Sequence, residues 1–143
     1  MTAHPFRVGE FVWCAFPVSE NPIQPGPHHI AYTLAVSGVA EDFSAILAYT
    51  TSQTAPAVLP VGVRRFSASE AALLGQDKAF LLNLRRMAFL PVTSAWFPRL
   101  AWNDCGIVGR APGALRREIE DAATDLMRRR GGDVERLGPF WRS

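Results

Sequence analysis

A chain of 143 residues, 48% apolar and 20% charged, is long enough to bury one core and has the balance of a globular domain. No apolar run approaches the ~18 residues a membrane span requires, which excludes the integral helical membrane class and predicts a soluble protein. The net charge of +2 is modest, and Lys78 is the only lysine, so the positive charge is almost entirely arginine, whose planar fork suits carboxylate and phosphate.

The N-terminus, Met1-Thr2-Ala3-His4-Pro5, lacks the basic region and apolar stretch that export demands, so the cytoplasm is the expected compartment. Cys14 and Cys105 stand far apart and read as free thiols. They form no zinc pattern with His4, His28 or His29, and no metal site is expected.

In chain order, residues 10–16 are aromatic and β-favouring and end at Pro17, which predicts a first strand. Residues 17–27 carry Pro17, Pro22, Pro25, Gly26 and Pro27 and predict a long irregular loop, a length often tied to function. Residues 30–36 and 44–51 predict a hairpin around a turn at 38–42, and 59–66 a fourth strand. Ser67-Ala68-Ser69-Glu70 matches a capping box, with Gly75 as the stop of a short helix. Residues 79–90 read as a fifth strand, with a helix as the alternative because Phe80, Leu84 and Met87 also satisfy a 3.6 period.

Residues 92–112 predict irregular chain, with Trp96, Phe97 and Trp102 packed over the end of the β-structure. From Pro112 or Gly113 to Arg130, Leu115, Ile119, Ala122 and Leu126 fall on one face of an amphipathic helix. Arg128-Arg129-Arg130 and Gly131-Gly132 supply its cationic end and glycine stop. The tail at 131–143 is expected to be loosely held, with Phe140 and Trp141 able to dock. The whole reads as one mainly β domain over 1–143, with a β core at about 7–108 and the terminal helix at 113–130.

Three segments carry chemistry: Pro25-Gly26-Pro27-His28-His29, Thr50-Thr51-Ser52, and Asn83 to Arg86. Ends of adjacent antiparallel strands converge, so these can share a cleft. Asn83 and Arg86 lie three apart, so a common site for them requires a bulge.

The opening Arg7-Val8-Gly9-Glu10-Phe11-Val12-Trp13-Cys14-Ala15-Phe16-Pro17, the Gly-containing loop into an apolar strand, and the strand ending in Thr50-Thr51 together resemble PemK/MazF-family toxins over most of residues 7–90. That resemblance implies an SH3-like antiparallel barrel with a short inserted helix, a homodimer, and a metal-independent, cofactor-free endoribonuclease for single-stranded RNA restrained by a cognate antitoxin. Thr50 and Thr51 match the family's Thr-Thr/Ser pair, and Arg86 matches its late-strand arginine. His29-Ile30 stands where the family has Arg-Pro, and Asn83 where it has an acid.

Cleavage through the ribose 2′-hydroxyl needs a base, an acid and groups around the phosphorane-like transition state. Asn83 cannot be the base, whereas His28 or His29 can. The expected catalytic set is therefore His28, His29, Thr50, Thr51 and Arg86, with Gln24, Ser52, Asn83 and Arg85 binding substrate. The departures also keep open a catalytically inactive relative that binds RNA or a protein partner. An enzyme of other chemistry or a structural interaction protein remains a third possibility. No phosphate-cradling glycine loop, dinucleotide fingerprint or nucleophile elbow occurs.

Overall fold

Runs of apolar, β-branched and aromatic residues become strands here because the sheet is buried on both faces, which removes the need for strict alternation. The computed structural model describes residues 3–52, 57–129 and 134–141. In chain order the elements are β1 Glu10–Ala15, β2 His28–Ser37, β3 Ser44–Thr51, β4 Val63–Phe66, α1 Ala68–Leu73, β5 Phe80–Pro91, β6 Ile107–Arg110, α2 Gly113–Arg128 and β7 Glu135–Leu137. The sheet runs β4-β5-β3-β2-β1-β6, antiparallel throughout, and β7 adds to β5 in parallel.

One face carries Phe11, Tyr32, Ala48, Phe66, Leu82 and Met87 and is covered by Ala71 and Leu74 at the α1 end and by Ile119 and Leu126 of α2. The other carries Val12, Cys14, Ala31, Leu47, Ala88 and Leu90 and is covered by Phe6, Phe16, Trp96 and Phe97. Burial of Ile119 and Leu126 contributes about 2 kcal/mol each. The third core position of α2 is Ala123, packed against the first core, rather than the exposed Ala122 that the spacing suggested.

The capping box forms as expected: the Ser67 hydroxyl accepts from the Glu70 N–H and the Glu70 carboxylate accepts from the Ser67 N–H. Among the described residues no ladder joins β4 to β6, so the sheet does not close by hydrogen bonding. Instead α1, which follows β4, ends against β6. A Cβ on Gly75 would fall 1.7 Å from the Val108 carbonyl oxygen, and one on Gly109 would fall 1.9 Å from that of Leu74. Gly75 also adopts φ +79°, a conformation glycine reaches without strain.

Three expectations change and one alternative is settled. The fourth strand starts at Val63 rather than residue 59, because a turn precedes it in which the Val63 N–H donates to the Pro60 carbonyl and Gly62 takes φ +89°. The fifth strand forms at 80–91 as expected, in place of the helical alternative, held between β3 and β4. Within the stretch expected to be irregular, Ile107–Arg110 pairs with β1. The tail is not loosely held at 135–137: β7 pairs with β5, and Phe140 and Trp141 pack edge-on to Phe89 at ring separations of 5.3 and 5.5 Å. The Gly131-Gly132 stop and Arg130 lie outside the described residues, and α2 is described to Arg128.

The buried Glu10 carboxylate fixes the start of β1, accepting from the Arg7 N–H at 2.6 Å and from the Arg110 guanidinium at 2.7 Å. No helix among the described residues is long and apolar enough to cross a membrane.

Candidate functional site: a cleft where β2 begins and β3 ends

The proline-rich loop delivers β2 to one place because Gly26 lets its backbone press on the end of β1. The Gly26 N–H donates to the Ala15 carbonyl and the Phe16 N–H to the Pro27 carbonyl, at 3.1 Å each. A Cβ on Gly26 would fall 2.1 Å from the Phe16 carbonyl oxygen, so only glycine fits. β2 therefore starts at His28, beside Ala15, with His29 opposite Cys14.

A cleft of about 450 Å³ opens here. His28, His29, Thr50, Thr51 and Ser52 all line it, so two of the three chemistry-bearing segments meet as strand-end convergence predicts. A further wall comes from Gln76, Asp77 and Lys78 between α1 and β5 and from Phe80 at the start of β5, and Trp13 of β1 lies alongside Ile30. Sequence reasoning missed this wall. The lone lysine was its available signal.

The two histidines differ because strand residues alternate across a sheet. His28 is exposed and shares the face of Ile30 and Thr50, whereas His29 is half-buried and lies against the Tyr49 ring at 4.9 Å. Burial lowers the His29 pKa from its usual 6.5; hydrogen bonding to the Thr50 backbone opposes the shift, and the charge of Arg86 adds to it. The neutral imidazole is thus favoured.

Thr50 is buried and its hydroxyl donates to the Ile30 carbonyl oxygen, which leaves it able to accept but not to donate further. Gln76 places a buried amide nitrogen at the cleft wall with no hydrogen-bond partner among the described residues.

Arg86 does not line the cleft. The bulge that the Asn83/Arg86 spacing required is present: Tyr49 pairs with Asn83 but Ala48 with Met87, leaving residues 84–86 out of the β3 ladder. Arg86 points instead to β7 and the proline loop, with Nε 2.8 Å from Glu135 Oε1 and Nη2 3.3 Å from the Ser19 hydroxyl. Its guanidinium carbon lies 4.9 Å from the centre of the Tyr49 ring, the same ring that His29 packs on. Burial of Glu135 works against ionisation, but the Ser19 hydroxyl and Arg86 together hold its pKa below the usual value.

Asn83 and Arg85 also lie outside the cleft lining. The Asn83 amide oxygen accepts from the Arg85 N–H at 2.9 Å, which shapes the bulge, and Arg85 reaches the Val61 carbonyl at 3.4 Å. Gln24 is exposed on the loop and is not among the lining residues. Among the described residues no group of three or more His, Cys, Asp or Glu side chains could hold a metal ion.

Compared with known proteins, the chain matches no protein-family model, and no curated protein matches it.

Proposed function

We propose that the protein is a PemK/MazF-like endoribonuclease for single-stranded RNA, built on an SH3-like barrel whose ladder is interrupted at the α1–β6 join. The observation that carries this reading is the convergence of His28, His29, Thr50, Thr51 and Ser52 in one open cleft that Lys78 also lines. Those residue types match the chemistry of 2′-hydroxyl attack. The 2′-oxygen gives its proton to one imidazole and forms a bond to phosphorus. The bond from phosphorus to the 5′-oxygen breaks, and that oxygen takes a proton from the other imidazole.

Alternation turns the two rings to opposite faces of β2, but both residues line the cleft where the strand begins, and in this scheme His29, kept neutral by burial, is the base and His28 the acid. Lys78, Thr51 and Ser52, which line the cleft, stabilise charge on the phosphoryl oxygens in this scheme. Arg86 is a positioning residue in this scheme, acting on His29 through Tyr49. As in the toxins that the sequence resembles, a homodimer in the cytoplasm and an antitoxin partner accompany this reading.

The test is incubation of the purified protein with mixed-sequence RNA in the presence of a chelator. Fragments ending in 2′,3′-cyclic phosphate are expected, with cleavage reduced about 100-fold or more in His28→Ala and in His29→Ala. RNA left intact beside a positive-control toxin would overturn it. One observation favours a second reading, an RNA-binding relative that does not cut: the Thr50 hydroxyl donor and the Arg86 guanidinium are already engaged within the protein. Salt-sensitive RNA binding without cleavage would select that reading.

A further inference from the structure

Trp102 is 56% exposed, although Trp96 and Phe97 from the same segment are 7% and 0% exposed. The expectation that all three pack over the end of the β-structure therefore fails at Trp102. Its indole is not simply loose on the surface. The Arg99 guanidinium carbon lies 4.6 Å from the Trp102 ring centre and 4.3 Å from the Trp13 ring centre, so the cation sits against both indoles. Trp13 in turn borders the cleft.

The backbone holds this arrangement in place. The Trp102 N–H donates to the Arg99 carbonyl at 3.0 Å and the Cys105 N–H to the Trp102 carbonyl at 2.9 Å. Cys105 and Gly106 take φ +55° and +81°, and the Trp13 N–H donates to the Gly106 carbonyl at 3.0 Å, which pins the segment to β1. A Cβ on Gly106 would fall 2.9 Å from the Arg99 Cβ, so glycine lets Arg99 lie close to the strand. Asp104 follows in the same segment and is exposed, its carboxylate accepting from the Gly106 N–H at 2.9 Å.

A flat aromatic surface held outward, backed by a cation and continuous with a cleft, fits a nucleobase better than an apolar protein segment. Bases offer a π-face to any indole, and the guanidinium adds charge beside the phosphate that follows. We propose that Trp13, Arg99 and Trp102 form a base-stacking subsite for single-stranded nucleic acid flanking the cleft, in which an unpaired base stacks on the open face of Trp102. The proposal rests on the reading of the cleft as an RNA site but not on cleavage.

The experiment measures binding of a fluorescent 2′-O-methyl oligonucleotide, which lacks the attacking hydroxyl, by anisotropy at low salt. Trp102→Ala is expected to weaken binding about tenfold or more, Trp102→Phe less than about threefold, and Arg99→Ala by an intermediate amount. The same oligonucleotide with abasic positions should bind the parent weakly and lose nothing further in Trp102→Ala. Equal binding by the parent and Trp102→Ala, or no binding by the parent, overturns the subsite. RNA cleavage with an unchanged KM in Trp102→Ala also overturns it while leaving the catalytic reading intact. Trp102-dependent binding of RNA that is never cut sustains the subsite and removes the catalytic reading.

Discussion

The Thr50 hydroxyl donates to the carbonyl oxygen of Ile30, tying the end of β3 to the start of β2 at the cleft wall. A buried hydroxyl in such a contact serves the fold before it serves a substrate. Thr50→Val should cost about 1 kcal/mol in urea denaturation, because the carbonyl loses a donor, while Thr50→Ser should remain within about 0.5 kcal/mol of the parent. A Val variant as stable as the parent would show that the bond adds no net stability.

The His29 pKa is lowered in the folded chain, so the unfolded chain binds the proton more readily. Stability from this residue is fully present above the unfolded value near 6.5 and is lost as the pH falls through the lower folded value. Tm should therefore drop on acidification through that window, and His29→Asn should flatten that part of the profile. An identical Tm profile in the variant would assign the acid sensitivity to other groups.

Tyr32 is fully buried, its hydroxyl has no hydrogen-bond partner among the described residues, and burial pushes its pKa up to about 12, with Glu120 adding to the rise and Arg116 opposing it. Leaving a buried hydroxyl unpaired costs free energy, whereas a phenyl ring keeps the edge contact to Phe11 at 5.0 Å. Tyr32→Phe should be neutral or stabilising by up to about 1 kcal/mol. Clear destabilisation on thermal melting would reveal a partner for the hydroxyl.

Cys14 is fully buried, and burial pushes its thiol well above the usual range, while Cys105 is half-buried on a surface segment. Reaction with a thiol reagent under native conditions should modify Cys105 first, with Cys14 reacting at the rate of global unfolding. Mass spectrometry of partly labelled protein distinguishes the two, and early labelling of Cys14 would contradict its placement.

Local signals in the chain carried far into the structure where each element announces itself. The aromatic run before Pro17, the hairpin at 30–51, the Ser67/Glu70 cap and the Ile119/Leu126 spacing each depend on neighbours a few residues away. Strands β6 and β7 escaped because each has at most four residues and gains its identity from a distant partner, β1 or β5. For the site, the two strand ends were legible from Pro25-Gly26-Pro27-His28-His29 and Thr50-Thr51-Ser52. The direction of Arg86 was not, because it depends on a three-residue bulge and on Glu135, both set by tertiary pairing.

The contact of Gly75 with Val108 and of Gly109 with Leu74 is made of main chain on both sides. Elsewhere in a core, a residue that grows can be accommodated by a neighbour that shrinks, and two harmful changes can offset each other. Here the obstructing atoms are carbonyl oxygens, which no substitution removes. The join between the two ends of the sheet therefore has no compensating partner in sequence: a side chain at either glycine can be accommodated only by moving the chain itself.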